Sequence, residues 1–353
     1  MPFKIALDAT EFVAHNARKT NTNPIITFFG GEPLLKWKEI IVPLTSYIRN
    51  KYGNNFDLSI TTNGLLLDEE KLKFMKKNNI DLLLSMDGNK KTQDLNRPTQ
   101  NGNSSFDILY KKLTLILKYY PDVTFRSTTD HDNASEFVDN HKFAINHGFK
   151  NVYNIVNVFS HWNQQEKQEL KVQIDKLGDY YIELLKANKS VSFMPFMEMF
   201  GKLNLIEDAN KNNRYRDLGT QFPGFGRCGI GATMAASVGI DGKLYSCQEL
   251  VDNNDIGKEF TIGNIYAGAD NKARYNIFKD FNPKKVICSD GIHKCNDCKL
   301  NPICDGACLI NNYFKYKDLH IMPSTLCFYY QELLKKAFEI KKIYNQLTKV
   351  IPF

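Results

Sequence analysis

Cysteine is the residue whose placement in this sequence most directly suggests chemistry. All eight cysteines lie between Cys228 and Cys327. Four of them follow the spacing Cys-x2-Cys-x5-Cys-x3-Cys, at Cys295, Cys298, Cys304 and Cys308. Short Cys-x2-Cys turns place two thiolates on one metal, and more distant cysteines complete the coordination. The pattern therefore indicates a metal-binding region that holds either zinc or iron–sulfur clusters.

Three further cysteines belong to the same ordered series. Cys228 precedes the segment Gly242-x4-Cys247, and Cys327 follows the four-cysteine run. Seven ordered cysteines exceed the four ligands of a single tetrahedral site. They can supply one complete site and a second with three protein ligands, so the second has an exchangeable position or a non-cysteine ligand.

A different group of candidate residues lies at the ends of predicted strands in the first half. The segments are Gly30-Gly31-Glu32-Pro33, Thr61-Thr62-Asn63-Gly64 and Ser85-Met86-Asp87-Gly88, and Arg126 lies on a fourth strand. Paired glycines let a ligand approach the backbone, and the Glu32 carboxylate suits an ammonium group. Asn63, Ser85 and Arg126 can hydrogen-bond hydroxyls and a carboxylate. The set predicts a site for a zwitterionic amino acid; the alternative is that the Gly and Asn residues only form turns.

Alternating strands and helices are needed to bring these residues together. Short apolar runs lie at 25–29, 58–61, 82–86, 123–128 and 152–158, and segments of helical period separate them. Strands that alternate with helices pair in parallel through right-handed crossovers. Functional residues of such sheets gather at the carboxyl ends of the strands. We therefore predict an α/β fold, either a barrel or an open parallel sheet, followed by a separate cysteine-rich region.

Composition limits the classes of protein that this chain can represent. With 42% hydrophobic and 24% charged residues, the balance is that of a folded globular protein. No apolar stretch is long enough to span a bilayer, and the start lacks a secretory pattern, so we expect a cytoplasmic protein. The net charge of +7 is scattered, which does not indicate nucleic-acid binding. Cytosolic thiols stay reduced, which favours metal ligation over disulfides.

Taken in order, these segments resemble a known family. The GGEP segment, the TTNG and SMDG strand ends, Asn96-Arg97-Pro98 and the cysteine series are similar to radical S-adenosylmethionine enzymes with a C-terminal SPASM domain. That group modifies ribosomally made peptides and includes anaerobic sulfatase maturases. The resemblance implies a partial (β/α)6 TIM-type barrel followed by a SPASM domain with auxiliary iron–sulfur clusters. The implied domains are a radical SAM core at 1–190, a bridging region at 191–227, a SPASM domain at 228–330 and a C-terminal helix at 331–353.

The resemblance also implies roles for individual residues. The methionine amino group of S-adenosylmethionine would lie at Gly30, Gly31, Glu32 and Pro33, its ribose or carboxylate at Asn63 and Ser85, and its carboxylate at Arg126. The outer auxiliary [4Fe–4S] cluster would be held by Cys295, Cys298, Cys304 and Cys327, and the inner one by Cys228, Cys247 and Cys308. Cys288 lies outside the pattern; we interpret it as a buried thiol, with ligation of the inner cluster as the alternative. No catalytic residue is assigned; Asp87 is a candidate base, or a cap of the next helix.

One feature of the family has no counterpart in this sequence. The C-x3-C-x2-C motif that holds the cluster cleaving S-adenosylmethionine is absent, since no cysteine precedes Cys228. The five predicted strands match the second to the sixth of the family's barrel, so we expect its first strand and cluster loop to be missing. The alternatives are a truncated gene model and a paralogue that has lost radical chemistry. In both cases we expect the chain as written to be inactive alone.

For a complete protein of this kind, the resemblance implies a specific reaction. Reductive cleavage of S-adenosylmethionine would give a 5′-deoxyadenosyl radical that abstracts hydrogen from a peptide. The leading hypothesis is thioether or carbon–carbon crosslinking of a ribosomal precursor peptide. The alternatives are oxidation of Cys or Ser to formylglycine, a non-catalytic iron–sulfur partner protein, and a zinc-stabilised binding module. The implied partners are a precursor peptide or protein and an electron donor such as flavodoxin or ferredoxin, without nucleic acid or membrane.

Overall fold

A computed structural model describes most of the chain. The described residues are 1–211, 236–251, 257–279, 281, 285–291, 295, 298 and 308–350. Cys228 and Cys304, two of the predicted metal ligands, lie outside these ranges, as do residues 212–227 of the predicted bridging region.

A six-stranded sheet organises the first half of the chain. Its strands are β1 (Ile25–Phe28), β2 (Asp57–Thr62), β3 (Ile80–Ser85), β4 (Thr124–Thr129), β5 (Asn151–Val156) and β6 (Ser192–Phe193), and they are neighbours in this order. The pairings from β2 to β6 are parallel. The five predicted strands are confirmed. The sixth strand was not predicted, because two residues are too few to show a period of two.

Helices precede, separate and follow the strands, and those between strands confirm the predicted alternation. They are α1 (Phe3–Thr20), α2 (Val42–Tyr52), α3 (Glu69–Lys77), α4 (Lys90–Asn96), α5 (Ser105–Tyr119), α6 (Phe137–Asn146), α7 (Gln164–Lys186) and α8 (Met194–Lys211). Polar residues begin several of them. Asp68, Asn89 and Ser104 each accept a hydrogen bond from a backbone amide of the first turn of α3, α4 and α5. Such caps satisfy amides that would otherwise lack a partner, so they fix where each helix begins.

The core of the sheet lies on one of its faces. Leu84, Phe125 and Val152 are fully buried and lie opposite one another on β3, β4 and β5. Their sequence neighbours on the same strands point to the other face, because side chains alternate along a strand. That second face carries the polar residues of the candidate site.

The later part of the chain has shorter elements. They are β7 (Ser237–Val238), β8 (Lys243–Tyr245), β9 (Thr261–Asn264), β10 (Gly268–Ala269), α9 (Asn271–Phe278), β11 (Ile287–Cys288), α10 (Leu309–Tyr316), β12 (Ile321–Met322) and α11 (Ser324–Val350). Strands β7 to β10 form an antiparallel sheet in the order β10-β9-β8-β7, and β11 pairs with β12 in parallel. Helix α11 begins before the predicted C-terminal helix at 331–353.

Two compact units divide the chain without following its order. One comprises 1–26, 38–56 and 205–327, and the other comprises 27–37, 57–204 and 328–353. In the first unit, Ala9 of α1 packs in a buried cluster with Leu244, Ile262 and Ile265. The contiguous domains inferred from the sequence are a different division, and their boundaries remain predictions. Within the described ranges, no helix is both long and apolar enough to cross a bilayer.

Candidate functional site

The turn after β1 leaves room beside the backbone. Gly30 has a φ of +145°, a conformation that favours glycine over residues with a Cβ. A Cβ added at Gly30 or at Gly31 would meet no other atom of the described chain within 4 Å. This segment therefore offers exposed backbone to a ligand, as the paired glycines predict.

The carboxylate of Glu32 connects this turn to the next strand. Its Oε1 accepts hydrogen bonds from the Leu34 amide at 3.0 Å and the Thr62 hydroxyl at 2.8 Å, and its Oε2 accepts from the Asn63 amide at 2.9 Å. Glu32 thus holds the ends of β1 and β2 together. An ionised carboxylate has about four acceptor positions, so one remains for the predicted ammonium group.

Polar side chains form a row across the second face of the sheet. Ser85 on β3 lies opposite Arg126 on β4, and Arg126 lies opposite Tyr153 on β5. Thr62 lies opposite Leu84, the residue before Ser85. Asn63, the residue after Thr62, therefore continues the row. The structure thus brings together three residues that the sequence predicted. Sequence reasoning missed Tyr153, because the register between β4 and β5 cannot be read from a single chain.

The electrostatic surroundings favour a neutral hydroxyl on Tyr153. Burial raises the pKa of Tyr153, and the nearby Glu198 carboxylate raises it further, while Arg126 acts in the opposite direction. The phenol is therefore protonated at neutral pH and able to donate a hydrogen bond. Together the row offers hydroxyl, amide and guanidinium donors, which suit a ligand that carries a carboxylate and hydroxyls.

Asp87, the candidate base, is engaged by other groups. It is 2% exposed, and its two oxygens accept hydrogen bonds from Nε and Nη2 of Arg97 at 2.8 and 3.2 Å. The Thr128 amide also donates to Oδ1 at 2.8 Å. Helix α4 is capped by Asn89 instead of Asp87. The alternative prediction, that Asp87 caps this helix, is therefore wrong. Its carboxylate pairs with Arg97 instead.

The predicted metal ligands are described only in part. No disulfide involves the six described cysteines, Cys247, Cys288, Cys295, Cys298, Cys308 and Cys327. The Cys298 amide donates to the Cys295 carbonyl at 3.1 Å, so the Cys-x2-Cys segment turns back on itself. In the described ranges, no three Cys, His, Asp or Glu residues come together in a way that could hold a metal. The assignment of cluster ligands therefore remains a prediction.

Cys288 is buried, as expected for a thiol outside the series. It is 1% exposed and lies on β11, whose pairing with β12 brings it close to the start of α11. A hydrogen bond with Cys327 raises the pKa of Cys288, and burial adds to this effect. The thiol form of Cys288 is therefore strongly favoured at neutral pH.

Comparison with known proteins relates part of this chain to a known family of domains. The Radical SAM superfamily model matches residues 11–171. The chain contains a radical SAM domain. A cysteine-type anaerobic sulfatase-maturating enzyme from Clostridium novyi is 24% identical over 301 residues, which covers 82% of this chain and 74% of the relative.

Two solved structures share the architecture. The structure of anSMEcpe with bound AdoMet matches with a TM-score of 0.73 at 20% identity, and the match covers 97% of this chain and 86% of the other. Streptococcus suis SuiB bound to precursor peptide SuiA matches with a TM-score of 0.54 at 16% identity, covering 91% and 69%. These matches confirm the α/β fold of the radical SAM partial barrel.

The residues at the strand ends fit S-adenosylmethionine. The ligand carries an ammonium group, a carboxylate and ribose hydroxyls. The site offers the Glu32 carboxylate beside open glycine backbone, the Arg126 guanidinium, and the polar side chains of Ser85 and Asn63. The cluster that cleaves S-adenosylmethionine in radical SAM enzymes has no matching cysteine ligands here, because no cysteine precedes Cys228 in this sequence.

Proposed function

We propose that this chain binds S-adenosylmethionine at the strand ends and acts in the maturation of a peptide or protein substrate. The observation that carries the proposal is the row of Ser85, Arg126 and Tyr153 beside the glycine turn, within a radical SAM domain. A relative that is named as a sulfatase-maturating enzyme and a similar fold with bound AdoMet support it.

The chain's own residues would bind and orient the ligand. The ammonium group would lie against Glu32 and the backbone of Gly30 and Gly31, with Pro33 closing the turn. The carboxylate would accept hydrogen bonds from Ser85 and Arg126, and Asn63 would contact the ribose. When bound and reductively cleaved, S-adenosylmethionine supplies a radical able to abstract hydrogen from a substrate. The cysteines that would hold the cleaving cluster are not in this sequence. The Asp87 carboxylate pairs with Arg97, so we assign it no role as a base.

Two substrate chemistries are supported by different relatives. Oxidation of a Cys or Ser residue to formylglycine is favoured by the relatives that are named as sulfatase-maturating enzymes. Modification of a precursor peptide, for which crosslinking is our hypothesis, is favoured by the similarity to SuiB, whose structure includes a bound precursor peptide. The matches cover 74% and 83% of two sulfatase-maturating relatives but 69% of SuiB. We therefore place the formylglycine reaction first and crosslinking second.

Ligand binding tests the proposed site. Calorimetric titration of S-adenosylmethionine into the chain should give one binding event, and Arg126→Gln should raise its Kd about tenfold or more, because a charge-assisted hydrogen bond is lost. Arg18→Gln, an exposed arginine on α1, is the matched control and should bind as the wild type does. Absence of binding to the wild-type chain would contradict the proposal.

We also propose that the cysteine series holds two auxiliary [4Fe–4S] clusters. The support is the spacing of the seven cysteines, since the described residues do not show the coordination. Anaerobic reconstitution should give about eight irons and eight sulfides per chain, four of each per cluster. Stoichiometric zinc without sulfide would contradict this and would favour a structural zinc region.

A further inference from the structure

Arg97 is a guanidinium held in place beside the candidate site. It lies just after α4, and its Nε and Nη2 donate to the buried Asp87 carboxylate. A carboxylate that accepts two parallel hydrogen bonds fixes the plane of a guanidinium. The Arg97 side chain is nevertheless 28% exposed, against 1% for that of Asp87. In the part of the chain that the structure describes, Nη1 of Arg97 has no hydrogen-bond partner. The N–H groups of Nη1, on the edge of the guanidinium that does not face Asp87, are thus available to a ligand.

The turn that carries Asp87 is held by further hydrogen bonds and close packing. The Asp87 amide donates to Oε1 of Gln93 at 2.8 Å, and Nε2 of Gln93 donates to Ser105 at 3.1 Å. Gly88 has a φ of +145°, and a Cβ there would collide with the side chain of Asn140. Contacts within the described chain therefore position Asp87, and with it the guanidinium of Arg97.

Thr128 places this pair next to Arg126. The Thr128 amide donates to Asp87 at 2.8 Å, and its hydroxyl accepts from Nη1 of Arg126 at 3.3 Å. Its carbonyl accepts from Nδ2 of Asn96 at 3.1 Å. Thr128 of β4 thus contacts Arg126, Asp87 and Asn96. Asp87 is the partner of Arg97, and Asn96 is the residue before it. Both guanidiniums therefore lie near the carboxyl end of β4.

Arg97, Arg126 and Asp87 together carry a net positive charge, which favours an anionic group of a ligand. Arg97 and Arg126 contribute two positive charges, and Asp87 removes one, which leaves a net charge of +1. Without Asp87, two guanidiniums would repel each other and overcompensate one carboxylate. The buried acid therefore orients Arg97 and offsets one of the two positive charges of this group.

We propose that Arg97 is a second carboxylate-binding residue beside Arg126, and that Asp87 is its positioning residue. The ligand group is the carboxylate of the methionine moiety of S-adenosylmethionine, so this inference rests on the proposed cofactor site. Asn96-Arg97-Pro98, noted in the sequence only as part of a resemblance, thereby gains a binding role. The alternatives are that Arg97 only neutralises Asp87, or that it binds a carboxylate of the substrate.

A comparison of two ligands tests the proposal. S-Adenosylmethionine carries the carboxylate, whereas 5′-methylthioadenosine shares the adenosine and sulfur and lacks the amino-acid group. Titration of each into the wild-type chain and the Arg97→Gln variant should show a Kd for S-adenosylmethionine that rises about tenfold or more and an unchanged Kd for 5′-methylthioadenosine. Asp87→Asn should raise the Kd for S-adenosylmethionine less than Arg97→Gln does, again without affecting the other ligand.

Each contrary result has a distinct meaning. Unchanged binding of S-adenosylmethionine by Arg97→Gln would overturn the proposal and would leave Arg97 as a partner of Asp87 or a contact of the substrate. Equal weakening of both ligands would overturn it in favour of a purely structural role. Arg18→Gln serves as the matched arginine control, and thermal unfolding checks that each variant is folded. Failure of the wild-type chain to bind either ligand would instead overturn the cofactor site, and this inference with it.

Discussion

At the scale of single residues, Thr62 shows how the cofactor turn depends on the sheet. Its hydroxyl donates to Glu32 and accepts from the Gly64 amide at 3.0 Å, and the residue is 2% exposed. Both hydrogen bonds are made by one buried atom. The TTNG segment was predicted as a strand end, whereas its contact with Glu32 depends on the pairing of β1 and β2.

Replacement of this hydroxyl should destabilise the protein. Thr62→Val would leave the Gly64 amide and one Glu32 oxygen without a partner, and we expect it to lower the free energy of unfolding by about 1 to 3 kcal/mol. Thr62→Ser keeps the hydroxyl and is the matched control. Urea denaturation of the three proteins measures the difference, and equal stability of the Val and Ser variants would show that these hydrogen bonds contribute little.

His141 should make stability depend on pH. It is buried between the rings of Phe137 and Phe193, its Nδ1 bonds the Phe137 carbonyl at 2.7 Å, and burial lowers its pKa to about 4. His141 is protonated near pH 6.5 in the unfolded chain and near pH 4 in the folded chain. Stability is therefore full above pH 6.5 and falls as the pH drops towards 4, by about 2 kcal/mol between pH 6.5 and 5.

A non-titrating variant isolates this contribution. His141→Phe should lose about 2 kcal/mol less stability than the wild type between pH 7 and 5, because only the wild-type unfolded state gains this proton. Urea denaturation at both pH values gives the comparison. Identical losses in the two proteins would mean that His141 is protonated in the folded state without cost.

At the scale of elements, strands with a clear pattern were predictable and short or register-dependent features were not. Strands β1 to β5 follow from apolar runs between turn signals. Strand β6 has two residues and continues directly into α8, so it is too short to show the alternation typical of a strand. The row through Ser85, Arg126 and Tyr153, and the pairing of Asp87 with Arg97, depend on which strands are neighbours and in what register. A single sequence does not contain that information.

Helix α1 and the antiparallel sheet form a second core that can be tested. Leu244 on β8 is fully buried in the cluster with Ala9, Ile262 and Ile265. Leu244→Ala should lower the free energy of unfolding by about 2 to 5 kcal/mol, because it removes apolar contacts and leaves a cavity. Ile240→Ala, at a position that is 55% exposed, is the control and should change stability little. Equal effects in thermal or urea unfolding would contradict the packing of this sheet.

At the scale of the whole molecule, the chain combines a radical SAM domain with a later cysteine-rich region. The sheet and the residues at its carboxyl ends are described, whereas Cys228 and Cys304 lie outside the described residues. Residues 11–171 match the Radical SAM superfamily model, and the fold resembles that of anSMEcpe; the proposed cofactor site rests on the arrangement of side chains at the carboxyl ends of the strands. The central claim is therefore that S-adenosylmethionine binds at this edge.

Hydrogen–deuterium exchange of the backbone amides, with and without S-adenosylmethionine, tests that claim most directly. The ligand should slow exchange in peptides that cover 29–34, 61–65, 85–89 and 126–130, because these segments form the turns and strand ends of the site. The exchange of α7, at Gln164–Lys186, should not change. Unchanged exchange in the four site segments at a saturating ligand concentration, or protection confined to other segments, would contradict the account.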